Sequence, residues 1–212
     1  DGPYRNRLIV APIWMKDRFV KMIEREAEHA KQGKPAEITA KMNSLCDKEV
    51  IANLYEASCA GVKIELVIRG ICCLKAGIPG LSENITVHSI VGNFLEHARI
   101  LYVENDGSPE VYMGSADWMP RNLDKRVEIM FPVEDPELKR QVIHILQVQL
   151  EDNVKAHVLQ PDGTYEKIDK RGKVLVCAQE QFCEEAIAMA KKAAEEAGHD
   201  VHNTRVFVPA EA

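Results

Sequence analysis

Residues 36–68 constrain the fold more than any other part of this chain. Residues 36–42 alternate, with Ile38, Ala40 and Met42 on one side, as a strand does when one face is buried. Residues 46–60 then place Val50, Ile51, Leu54 and Ala57 along one helical face and close at Gly61. Residues 62–68 are apolar at Val62, Ile64, Leu66 and Ile68. Strand, helix and strand in that order predict a crossover unit with parallel strands, and so an α/β domain with helices packed on its sheet.

The flanking segments extend this reading. Residues 8–12 form a short strand ended by Pro12. Residues 17–32 form a helix with Phe19, Val20, Ile23 and Ala27 at helical spacing and Gly33 as its stop. Asn43-Ser44 offers a cap to the next helix. Residues 74–82, with Gly77, Pro79 and Gly80, form a loop. Further strands are expected at 85–91, 98–104, 110–113 and 126–133. Asn105-Asp106-Gly107-Ser108 folds two of these into a hairpin. Asp135-Pro136 opens a helix whose apolar stripe is Leu138, Val142, Ile145, Leu146 and Leu150. Residues 154–159 form an edge strand, 160–173 an exposed appendage, and 179–197 an alanine-rich helix, with a frayed end after Gly198. The expected division is a domain over 1–173 and a helical extension over 174–212. That extension is read either as an oligomer contact or as solvated.

Composition narrows the function classes. A hydrophobic content of 46% supports a sizeable core, and a net charge of -6 argues against a general nucleic-acid binder while leaving room for a local anion cleft. No run of apolar residues is long enough to span a membrane. Cys46, Cys59, Cys72, Cys73, Cys177 and Cys183 include no Cys-x-x-Cys pair. They are read as buried free thiols of a reducing cytoplasm. The chain opens without methionine or a signal peptide and is read as a fragment or domain of a longer protein.

The residues with chemical potential fall at strand ends. His97 can carry or relay a phosphoryl group or a proton; its bland alternative is a polar residue bonded to a backbone carbonyl. Arg69, at the carboxyl end of an apolar strand, sits where α/β proteins bind ligands, or forms a surface ion pair. Arg126 opens a strand and offers a fork for phosphate, or pairs with Asp124 or Glu128. Arg99 shares a face with His97, and either binds phosphate or pairs with Glu96 or Glu104. Gly114-Ser115 ends a strand, and Ser115 offers a hydroxyl and an amide. No phosphate-binding glycine loop of the P-loop or dinucleotide type is present. His29, His199 and His202 are expected at the surface, and no histidine has a partner at zinc-ligand spacing.

Together these residues resemble polyphosphate kinases, across roughly residues 8–173. Four segments carry the likeness most specifically: 38–48 (Ile-Thr-Ala-Lys-Met-Asn-Ser-Leu-Cys-Asp-Lys), 67–72 (Val-Ile-Arg-Gly-Ile-Cys), 89–99, which ends Glu96-His97-Ala98-Arg99, and 114–124, which begins Gly114-Ser115-Ala116-Asp117-Trp118. The resemblance implies the last of four domains, with a phospholipase D-like fold: a mixed central sheet flanked by helices. His97-Ala98-Arg99 followed by Gly114-Ser115 is similar to the His-x-Lys and Gly-Ser pattern of that wider superfamily, with arginine in place of lysine. It further implies reversible transfer of the ATP γ-phosphate to inorganic polyphosphate through a phosphohistidine in a preceding domain. On that basis Arg69 and His97 contact the ATP phosphates, Arg126 lies in the same cleft, and Ser115 adds a binding group. ATP and Mg2+ are the implied cofactors, with the metal ligands outside this chain. The implied partners are ATP or ADP, polyphosphate and the remaining domains of the same enzyme, with no nucleic acid. The homo-oligomeric state and a peripheral contact with the inner membrane stay open. The isolated domain is expected to be inactive. The alternative is a standalone phospholipase D-like phosphodiesterase or nuclease that dimerises and uses His97 as its nucleophile. A weaker reading is a catalytically silent binding module.

Overall fold

A computed structural model describes residues 8–196. One nine-stranded mixed sheet runs through it. The strands are β1 (Ile9–Ala11), β2 (Glu37–Met42), β3 (Lys63–Ile68), β4 (Ile85–Ile90), β5 (Arg99–Val103), β6 (Glu110–Gly114), β7 (Glu128–Pro132), β8 (Ala156–Leu159) and β9 (Tyr165–Lys167). Their spatial order is β1-β7-β6-β5-β2-β3-β4-β8-β9. The helices are α1 (Met15–Lys31), α2 (Lys48–Cys59), α3 (Pro136–Glu151) and α4 (Ala178–Glu196), with a π-helical turn at Arg121–Lys125.

The expected crossover is present: β2 and β3 are parallel through α2, with Ile38 opposite Ile64 and Met42 opposite Ile68, and β4 continues the parallel run beside β3. β1 does not join that run. It lies at the far edge, antiparallel to β7, with Ile9 opposite Met130. The expected hairpin is β5–β6, and its turn places Asn105, Asp106 and Gly107 at positive φ (48°, 52° and 82°), the conformation these residue types tolerate best. The appendage at 160–173 contains β9, which pairs with β8 and leaves its three residues exposed.

Strand alternation divides the interior between the two faces. Ile38, Ala40 and Met42 of β2 pack with Ile64, Leu66 and Ile68 of β3 against Phe19, Met22 and Ile23 of α1 and Val50 and Leu54 of α2. The opposite face is smaller, with Ile100, Val111 and Val133 under Val142 and Leu146 of α3. Thr39 and Lys41 of β2 point to that second face by register. α2 is capped by Asp47, which accepts from the N–H groups of Glu49 and Val50 (both 3.1 Å), and not by Asn43 or Ser44. The thiols differ from expectation: all six are free, but Cys59, Cys73 and Cys183 are exposed and Cys177 alone is buried. His29, expected at the surface, is half-buried beside Glu26. His199, His202 and the frayed end lie outside the described residues.

Candidate functional site

Strand direction brings the chemical residues to one end of the sheet. β2 and β3 run the same way, so Arg69 leaves β3 at the end where β2 finishes. β5 is antiparallel to β2, so His97 enters β5 at that same end. β6 and β7 reverse in turn, which places Ser115 after β6 and Arg126 before β7 there too. With strands about 4.8 Å apart, β3 and β5 stand about 10 Å apart, as do β5 and β7. The whole row covers about 19 Å.

The tip of β2 is the hub of this end. Leu45 N–H donates to Ile71 O (2.8 Å) and Cys73 N–H to Leu45 O (2.8 Å), stitching on the loop that follows β3. Cys46 and Asp47 N–H both donate to Trp118 O (2.9 Å each), stitching on the loop after β6. Arg69-Gly70 crosses so close that a Cβ on Gly70 would stand 2.9 Å from Asn43 O, which accepts the Gly70 N–H at 2.8 Å. That approach requires glycine. The Asn43 side chain is 6% exposed, and neither its Oδ1 nor its Nδ2 has a protein partner.

Arg99 does not pair with Glu96 or Glu104. Its Nε and Nη2 donate to Oδ1 (3.2 Å) and Oδ2 (3.1 Å) of Asp117, and its Nη1 donates to His97 O (2.6 Å). Asp117 Oδ1 also accepts Asn43 N–H at 2.8 Å. The guanidinium is therefore spent on holding the backbone of His97 to the β2 tip. The planar fork explains why arginine fits here, since a lysine has no second edge to reach His97.

Lys41 escaped the sequence reading. It is the most bulky of the fully buried side chains, and its Nζ lies 3.4 Å from Glu96 Oε2 and 3.3 Å from Ala98 O. Burial pulls its pKa below the ordinary value. Glu96 opposes this, and the positive charges of Arg69 and Arg99 add to the depression. The available signal was a lysine between the apolar Ala40 and Met42 in a strand whose neighbours on both sides of the sheet are apolar.

The ring of His97 is exposed and makes no hydrogen bond or ion pair with the described residues. The guanidinium of Arg69, half-buried, and that of Arg126, exposed, are likewise unengaged by described residues, so Arg126 pairs with neither Asp124 nor Glu128. Ser115 differs from these three. Its hydroxyl donates to Glu128 and accepts from Ile129 N–H (3.1 Å), while Asn122 Nδ2 donates to the same carboxylate (2.7 Å). Among the described residues, no group of three or more His, Cys, Asp or Glu side chains is placed to hold a metal ion. No described helix is long and apolar enough to cross a membrane.

A mixed sheet that gathers a histidine, a Gly-Ser turn and arginines at one end defines a phospholipase D-like α/β domain. The backbone is similar to that of Nuc from Salmonella typhimurium, a phospholipase D family member, with a TM-score of 0.53 at 15% identity over 73% of this chain and 97% of that one. At that identity the likeness is one of fold. A family profile, Polyphosphate kinase C-terminal domain 2, matches residues 8–179, and the chain belongs to that family. A polyphosphate kinase from Lactiplantibacillus plantarum is 46% identical over 209 residues, which is 99% of this chain and 29% of that protein. The crystal structure of polyphosphate kinase from Porphyromonas gingivalis superposes with a TM-score of 0.81 at 43% identity, covering 93% of this chain and 30% of that one. The chain thus spans less than a third of these relatives.

Proposed function

We propose that this domain supplies the phosphate-gripping half of a polyphosphate kinase active site, in which ATP and a growing polyphosphate chain meet groups brought by other domains. The supporting observation is that the side chains of Arg69, His97 and Arg126 are unengaged by described residues along one sheet end while Arg99 is consumed in holding that end together. Phosphoryl transfer spreads negative charge over equatorial oxygens, and catalysis is mostly positioning and charge stabilisation. Arg69 and Arg126 clamp phosphate oxygens. His97 stabilises the transferring group or passes a proton to or from the leaving phosphate. Ser115, whose amide donates to Ile129 O (2.9 Å) and whose hydroxyl is held by Glu128 and Ile129, serves by positioning Glu128. The histidine that becomes phosphorylated belongs to a preceding domain. So do the ligands of Mg2+, the ion that neutralises phosphate charge. The cytoplasm, where ATP is available, is the fitting compartment.

The test is Arg69→Ala in a polyphosphate kinase carrying this domain. Turnover is expected to fall about 10²–10³-fold, the usual loss for one transition-state donor. An unchanged rate removes Arg69 from the site. Radiolabel from γ-labelled ATP recovered on His97 would overturn the assignment, because His97 would then itself be the residue that takes the phosphoryl group from ATP.

A further inference from the structure

Residues 92–98 carry His97 from β4 to β5 without regular structure, and Val91, Phe94 and Leu95 beside it are 68%, 60% and 70% exposed. Apolar packing does not hold this strap. Polar side chains do: Arg99 and Lys41 hold the backbone at His97 and Ala98, and one side chain from the other end of the sequence holds the part before them. Phe94 N–H donates to Gln179 Oε1 (3.0 Å), and Gln179 Nε2 donates to Phe94 O (2.9 Å) and to Glu96 Oε1 (3.0 Å). The amide thereby meets both backbone groups of one residue, as a neighbouring strand would. A Cβ on Gly92 would stand 2.3 Å from Gln179 Oε1, so glycine is what lets the amide in. On the far side of Glu96, Oε2 accepts from Gln149 Nε2 (2.9 Å) and faces Lys41 Nζ (3.4 Å).

The first turn of α4 is itself anchored. Asp152, fully buried, accepts from the N–H of Ala178 (2.8 Å) and from those of Val154, Lys155 and Ala156. Asn153 bonds Val174 O (2.8 Å) and Val176 N–H (3.0 Å). Gln179 is 6% exposed, whereas Ile187 and Met189 further along α4 are 55% and 66% exposed.

We propose that Gln179 is a positioning residue for His97: it clamps Phe94 and Glu96 and so fixes where the imidazole stands relative to Arg69. This rests on the reading of His97 as a phosphate-facing group; the clamp by itself does not. Without it residues 92–95 lose their side-chain anchor and Glu96 keeps only its contacts with Gln149 and Lys41, and a displacement of an ångström at a reacting group is enough to cost about 10²-fold in rate.

Amide exchange on this chain and turnover of a polyphosphate kinase carrying the domain test the proposal together. Gln179→Ala and Gly92→Ala should each speed exchange at the Phe94 amide at least tenfold and leave the amides of β3 unchanged. The double variant should be no faster than either single one, because both remove the same contact. Where Gln179→Ala fails to fold, Gln179→Glu sets a carboxylate against Glu96 and should loosen Phe94, with Glu96→Gln in the same chain restoring its protection. Turnover should fall at least tenfold in each loosened variant and return with the rescue. Unchanged Phe94 exchange overturns the clamp, and additive effects in the double variant do the same. A loosened Phe94 with full turnover overturns the positioning role. Full turnover in His97→Ala would instead defeat the phosphate-facing reading and leave the clamp standing.

Discussion

Arg99→Lys restores the His-x-Lys pattern of the wider superfamily, and in this protein it should be destabilising. The wild-type guanidinium makes two bonds to Asp117 (3.2 and 3.1 Å) and one to His97 O (2.6 Å). A lysine at the same place keeps the charge and one contact with Asp117, so two bonds are lost. A net hydrogen bond is worth about 0.5–1.5 kcal/mol and one to a charged group about 1.5–3 kcal/mol. The side chains are 15% and 11% exposed, so water replaces part of the loss and the lower range applies. The expected cost is about 1–3 kcal/mol. With a urea dependence of about 2–3 kcal/mol/M for a domain of this size, the unfolding midpoint should fall by about 1 M. Equilibrium unfolding followed by circular dichroism measures it. A midpoint within about 0.2 M of wild type would show that the fork holds nothing, and the account of why arginine stands here would fail.

Lys41 makes stability depend on pH in a defined direction. Its folded pKa lies below 10.5, so between the depressed value and 10.5 the unfolded chain binds more protons than the native one, and stability rises with pH through that window. Unfolding of wild type and Lys41→Met measured up to pH 10.5 should show this rise in wild type only; a parallel pair of curves refutes it. Gly70→Ala drives a Cβ to 2.9 Å from Asn43 O and should cost about 1–3 kcal/mol in thermal or urea unfolding, and a neutral result would mean that the crossing yields freely. Asp152→Ala orphans four backbone N–H groups and should cost at least about 3 kcal/mol, read by the same unfolding assay, with loss of α4 docking seen as faster amide exchange at Ala178.

Much of the architecture was legible because it follows from side-chain periodicity alone. The alternation of Ile38, Ala40 and Met42 and the helical spacing of Val50, Ile51, Leu54 and Ala57 fix a parallel crossover, whatever surrounds it. The turn at Asn105-Asp106-Gly107 fixes a hairpin through the positive φ these residues accept. The place of β1 was not legible, because three residues carry no signal of which edge they will join. The candidate site divides in the same way. That Arg69, His97, Ser115 and Arg126 share one end follows from strand direction, which turn chemistry and crossovers dictate. What each does there depends on partners far apart in sequence. Arg99 turned to Asp117, Ser115 to Glu128, and Gln179 to Phe94 across 85 residues. By itself the sequence determined most of the elements, their directions and therefore the end of the sheet where the candidate anion-binding groups collect. Only the tertiary structure decided which of those groups are spent on internal hydrogen bonds and which stay unengaged, because a short-range pattern carries no record of the neighbours that complete a polar side chain.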